Sequence, residues 1–142
     1  MQVQEIMSSA PVSLETEEPV AAAARLMRER NIGAMPVCDA SGKLVGMLTD
    51  RDIVIRCIAS GRSADQTRVS DIMTTGAVVA ETTEPLDDAL QRMEREQIRR
   101  LPVTEDGRLV GMLSLADVAH SSRLAMETAE ALSKITSNIC RK

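Results

Sequence analysis

Two four-residue phrases hold the side chains best suited to chemistry, Thr49-Asp50-Arg51-Asp52 and Ser114-Leu115-Ala116-Asp117. Each sets a hydroxyl three residues before a carboxylate, directly after the run Gly-Met-Leu. Two kinds of chemistry fit that spacing. The first is internal: a hydroxyl at a helix N-cap accepts from the backbone three residues on, and the acid there reaches back, a capping box that stabilises a helix start by about 1 kcal/mol and needs no ligand. The acid in such a box is usually Glu or Gln, and Asp, being shorter, reaches back less easily. The second is external. A strand that runs into a helix aims free N–H groups and the positive end of the dipole at one place. A Ser or Thr hydroxyl there can donate to a phosphate, and an Asp one turn on can accept from both hydroxyls of a ribose. The two readings are compatible, and the phrases alone do not choose between them.

Other chemistries find little support. The only histidine, His120, sits in a polar "HSS" stretch at the end of a helix with no evident partner, which suits a cap or a surface position. Cys38, Cys57 and Cys140 are odd in number, far apart and in no CxxC pairing; they read as structural thiols in a reducing cytoplasm, with no metal site. Phe, Tyr and Trp are absent, so the stacking platforms of single-strand nucleic-acid binders are missing. The net charge of −4 is dispersed, which also argues against a nucleic-acid partner. The opening "MQVQEIMSSAP" has no basic stretch followed by an apolar one, and no apolar run approaches the ~20 residues of a membrane span, so no signal peptide and no membrane are expected.

The two phrases belong to a repeat. At an offset of 66 residues Ile6-Met7 falls on Ile72-Met73, Val12 on Val78, Pro19 on Pro85, Met27 on Met93, Ile32 on Ile98 and Pro36-Val37 on Pro102-Val103. One residue is lost in the next turn, and at an offset of 65 Gly42 falls on Gly107, "LVGML" at 44–48 on "LVGML" at 109–113, and Asp52 on Asp117. A period this long means two copies of one supersecondary unit.

Each copy reads β-α-β-β-α. Strands are expected at 11–15 and 77–81, and helices at 17–30 and 84–97 with Pro19 and Pro85 in the first helical position. The strands 34–38 and 100–104 contain Pro and are expected near an edge or at a strand start. Turns on Gly42 and Gly107 lead into partner strands 43–49 and 108–114. A second helix follows; in the first copy it covers 50–60, carries Ile53/Cys57 and Val54/Ile58 at helical spacing, and stops at Gly61. The domains expected are thus residues 1–60, a polar linker 61–69, residues 70–121, and a helix 122–142. On that last helix Leu124, Thr128, Ala131, Ile135 and Ile139 share a face, with Ala129 and Leu132 beside it. It packs either on its own domain or on a second subunit. Nine Met with Val, Leu, Ile and Ala supply the core.

With "DIM", "GAMPV", "RRLPV" and two copies of G-h-h-[ST]-x-x-D (h apolar), the chain resembles a tandem pair of CBS domains (cystathionine β-synthase domains), also called a Bateman module, over about residues 3–121. The resemblance implies an α/β (α+β) fold of two CBS repeats with pseudo-two-fold symmetry, packed through their sheets. It also implies a regulatory rather than catalytic protein, with no required cofactor. Its ligands would be adenosine compounds, AMP, ADP, ATP or S-adenosylmethionine, held in a cleft between repeats. Carried over, one site would use Thr49 and Asp52 walled by Met73, Val78 and Ile98, and the other Ser114 and Asp117 walled by Met7, Val12 and Ile32. Arg99 and Arg100 stand where phosphate-binding members often carry a basic pair, and Gly33 and Ala34 stand there in the first copy. Arg51 has only Ala116 as its counterpart, so the sites are unequal. The resemblance further implies a homodimer, through helices 19–30 and 50–60, and a separate, unidentified regulated protein. The alternative is an interaction scaffold with empty sites, in which both phrases are only caps.

Overall fold

The computed structural model describes residues 1–120 and 125–140, with side chains given for 1–120 and 129–137. It is a mixed α/β fold with two sheets and six helices among those residues, divided into two compact units. Unit I is Val12–Ala77; unit II joins Met1–Pro11 to the chain from Val78 onward.

In unit I, β2 (Leu14–Glu15) runs parallel to β3 (Ala34–Cys38), which pairs antiparallel with β4 (Leu44–Thr49). Helix α1 (Val20–Arg30), α2 (Asp50–Asp52), a π-wound continuation of α2 (Ile53–Ile58) and α3 (Val69–Ile72) complete it. Leu14, Val20, Met27, Met35, Leu48, Ile53, Cys57 and Ile72 form its core. In unit II the sheet order is β1 (Ser8–Ser9), β7 (Arg108–Ser114), β6 (Arg100–Glu105), β5 (Ala80–Glu81). Helices α4 (Leu86–Glu96), α5 (Leu115–Ala119) and α6 (Ala125–Cys140) accompany it, over a core of Val3, Leu86, Met93, Leu101, Leu113, Val118 and Ile135.

The compact units are not the stretches 1–60 and 70–121. The segment ahead of each repeat closes the unit built from the other one, through matching hydrogen bonds. Val3 N donates to Glu84 O at 3.1 Å and Val69 N to Glu18 O at 2.8 Å. Gln4 N donates to Thr82 O and Ser70 N to Thr16 O, both at 3.0 Å. At the helix starts, Leu86 N donates to Met1 O at 2.8 Å and Val20 N to Thr67 O at 2.9 Å. These bonds satisfy N–H groups that the first turn of a helix leaves without partners. Residues 61–69, expected as linker, therefore belong to unit I, where Thr67 and Val69 are buried.

Three other expectations change in detail. Pro19 and Pro85 are N-caps with ψ of 144° and 137°, one position before the helices begin. β3 and β6 are central rather than edge strands. Their prolines are tolerated because the parallel neighbours are two residues long: β2 meets only Val37 and Cys38, β5 only Val103 and Thr104, so neither Pro36 nor Pro102 owes that side a donor. The helix expected at 50–60 widens after Asp52, with Ala59 N bonding to Val54 O, and ends at Gly61 with φ +73°. Ile53 and Cys57 point inward; Val54, Ile55 and Ile58 are 55%, 49% and 58% exposed.

The last helix packs on its own unit, against α4 and α5. Ala131 and Ile135 are buried there, and Lys134 Nζ lies 3.1 Å from Glu94 of α4. Ala129 and Leu132 are exposed, so the buried face is narrower than the sequence pattern; the side chains of Leu124, Thr128 and Ile139 lie outside the described residues. Cys38 is buried, and desolvation pushes its thiol up, against the lowering effect of a hydrogen bond with Ser13.

Candidate functional site

Both phrases lie where a long strand hands over to a helix. In unit I, Thr49 ends β4 in an extended conformation (ψ 160°), so its side chain stands over the first turn of α2. Thr49 Oγ1 accepts from Asp52 N at 3.0 Å, and Asp52 Oδ2 accepts from Thr49 N at 3.0 Å. Asp therefore does close the box here. The other carboxylate oxygen, Oδ1, lies 3.9 Å from Arg56 Nε, and Asp52 keeps only 12% side-chain exposure. Arg56 Nη1 in turn donates to Ile72 O at 3.1 Å and Met73 O at 3.3 Å. A short chain of contacts thus joins the Asp52 carboxylate to the backbone beside Met73.

Unit II repeats half of this. Ser114 Oγ accepts from Asp117 N at 3.0 Å, but Asp117 makes no return bond to the cap. Its Oδ2 accepts from Ser8 Oγ at 3.4 Å instead. Position 121, equivalent to Arg56, is a serine and lies outside the described residues.

Met73 and Met7 come close to the strands that lead into these junctions because those strands have glycine beneath them. Thr74 and Met47 exchange N–H···O bonds of 2.9 Å each. A Cβ on Gly46 would stand 2.7 Å from Thr74 O and 2.9 Å from Met73 Sδ. In unit II, Ser8 pairs with Met112, and a Cβ on Gly111 would stand 2.6 Å from Met7 Sδ and 2.8 Å from Ser8 O. A glycine inside a strand commonly marks such a close approach. "LVGML", present twice, carried that signal, whereas nothing in the sequence pointed to Ser8 or Arg56.

The start of the middle strand completes each junction. Asp50 N donates to Gly33 O at 2.9 Å, and Leu115 N to Arg99 O at 3.0 Å. Of the expected site residues, unit I brings together Thr49, Arg51, Asp52, Met73, Val12, Ile32 and Gly33; unit II brings together Ser114, Asp117, Met7, Val78, Ile98, Arg99 and Arg100. Val12, Ile32 and Met73 pack on the core of unit I, and Met7, Val78 and Ile98 on that of unit II. Val78 and Ile98, expected as walls for Thr49 and Asp52, thus belong to the other unit, as do Val12 and Ile32 for Ser114 and Asp117. Arg51, Arg99 and Arg100 are exposed.

The family model for the CBS domain matches residues 3–58 and 69–123, and the chain belongs to that family. Its relatives include the CBS domain-containing protein YhcV of Bacillus subtilis, 39% identical over 94% of each chain. The crystal structure of Hypoxic Response Protein I with two coordinated zinc ions is similar, at 35% identity and a TM-score of 0.78, over 84% of this chain and 98% of that one. So is the CBS domain pair of protein MJ0100 in complex with 5′-methylthioadenosine and S-adenosyl-L-methionine, at 29% identity and a TM-score of 0.72, over 84% and 94%. Among the described residues no group of three or more His, Cys, Asp or Glu is placed to hold a metal ion, and no helix is long and apolar enough to cross a membrane.

Proposed function

We propose that this chain is a cytoplasmic regulatory module that binds adenosine-containing ligands, AMP, ADP, ATP or S-adenosylmethionine, and signals their level to a separate protein without itself catalysing a reaction. The observation that carries this reading is the Asp117 junction. Its carboxylate makes no return bond to the cap, lies 3.4 Å from the hydroxyl of Ser8, and has the Arg99–Arg100 pair at the start of the adjoining strand. A carboxylate with unused acceptor positions suits a ribose diol, and exposed guanidinium groups suit a phosphate. The 29%-identical MJ0100 pair, which holds two adenosine compounds, supports the ligand class. To act as a switch the ligand must favour one conformational or partner state over another. The same reading makes the protein a homodimer, with exposed Val54, Ile55 and Ile58 as part of the contact; one monomer mass by light scattering at micromolar concentration would refute that.

The test uses the missing aromatics. With no Trp or Tyr the purified chain is nearly transparent at about 260–280 nm. A band near 260 nm that stays with the protein after loading with AMP or S-adenosylmethionine and desalting, and is lost in Asp52→Ala/Asp117→Ala, is the expected result. A flat spectrum together with no heat of binding in calorimetry would leave the scaffold reading, in which both phrases are only caps.

A further inference from the structure

The two junctions differ in charge at one equivalent place. In unit I a Cβ on Gly33 would lie 2.9 Å from Asp50 Oδ2 and 3.3 Å from Asp50 Cγ, so the Asp50 carboxylate occupies the space where a side chain at 33 would begin. The carboxylate is fixed there at both ends of its own residue: Asp50 N donates to Gly33 O, and Asp50 Oδ1 accepts from Arg51 N at 2.8 Å. In unit II the residue equivalent to Gly33 is Arg99, and the residue equivalent to Asp50 is the buried Leu115. Unit I therefore puts an anion where unit II starts a cation. The exchange is paired. Arginine at 33 would have to push the exposed Asp50 carboxylate aside and would then lie against it, whereas Leu115 brings no charge to Arg99.

Resting on the adenosine reading above, we propose that the junctions select different 5′ substituents: the Asp117 junction takes a 5′-phosphorylated adenosine, and the Asp52 junction takes one without a phosphate, neutral or cationic. Asp50 is the residue that sets the difference. A phosphate at the start of β3 would meet the Asp50 carboxylate, whereas a thioether is indifferent to it and a sulfonium or ammonium is attracted. The neighbouring cations do not reverse this. Arg51 lines a shallow depression of about 280 Å³ together with Asp50, whose carboxylate offsets its charge, and Arg56 is engaged with Asp52 and the carbonyls of Ile72 and Met73.

The experiment is calorimetric titration of the full chain with AMP and with 5′-methylthioadenosine, which share adenosine and differ in the 5′ group. In Asp117→Ala, where only unit I is left to bind, 5′-methylthioadenosine should bind at least about tenfold more tightly than AMP, and in Asp52→Ala the order should reverse, since a charge-assisted contact is worth about that factor. Asp50→Asn, which keeps the shape and the acceptor to Arg51 N, should improve AMP binding at unit I several-fold. Gly33→Arg/Asp50→Leu in the Asp117→Ala chain should transfer the preference of unit II to unit I. Equal binding of the two ligands by Asp117→Ala, or an AMP affinity unmoved by Asp50→Asn in a chain that still binds 5′-methylthioadenosine, would overturn the charge selection and leave the adenosine reading standing. No binding of either ligand by the unaltered chain would overturn both.

Discussion

Units I and II are built on one pattern, yet they spend their polar residues differently. In unit I the carboxylate of the repeated phrase is engaged twice, by its own cap and by Arg56. In unit II, among the described residues, it is tied only to Ser8, and the arginine that braces backbone is Arg92 of α4, bonding Val79 O at 2.7 Å and Glu84 at 2.8 and 3.0 Å. Donating to the Glu84 carboxylate raises the Arg92 pKa; the equivalent residue in unit I is Leu26. Unit II also carries α6 over α4 and α5, whereas unit I leaves Val54, Ile55 and Ile58 exposed. The two units share the strand crossings that close them and differ in the junction charges and the outer helix faces.

The added helix is where the comparison breaks most easily. Ile135 is fully buried on one unit only, so Ile135→Ala should cost about 2–5 kcal/mol of stability in unit II. Hydrogen exchange should show the loss in α4 and α5 while the amides of β3 and β4 keep their protection; equal loss in both units would mean that they unfold as one. The shared glycines test the opposite point. Gly46→Ala and Gly111→Ala each force a Cβ against backbone oxygen and methionine sulfur at under 3.0 Å, and overpacking of that kind costs about 1–3 kcal/mol. Thermal melts should place the two variants close together. A harmless substitution at either position would show that the crossing segment of that unit is loosely held.

Much of this was legible in the residues. The repeat, the hairpins at Gly42 and Gly107, and the junction positions of Thr49, Asp52, Ser114 and Asp117 follow from periodicity and turn chemistry, which are local. The rest failed where the deciding partner is distant in sequence. Nothing near Val3 or Val69 says that each caps a segment belonging to the other repeat, and that exchange puts Met7 in unit II and Met73 in unit I. Pro36 and Pro102 suggested edge strands because the shortness of β2 and β5 is not a property of the proline. The carboxylate that lies over Gly33 belongs to Asp50, 17 positions on, and is visible there only once β3 and β4 are paired.

The finest contrast is between the two aspartates, and it separates the cap from the ligand site. Asp52→Ala removes an acceptor from Thr49 N and the partner of Arg56, so it should cost about 1 kcal/mol, the usual worth of such a cap bond. Among the described residues Asp117→Ala removes only a 3.4 Å contact from Ser8 Oγ, because the bond to Ser114 Oγ is made by the Asp117 backbone, so its cost should stay within about 0.5 kcal/mol. Chemical denaturation of both variants, with and without AMP, reads the difference. A stable Asp117→Ala that has lost its stabilisation by AMP means that the carboxylate is there for the ligand. If instead it loses as much stability as Asp52→Ala and responds to AMP unchanged, the two carboxylates do the same structural task and the asymmetry between the junctions has no bearing on binding.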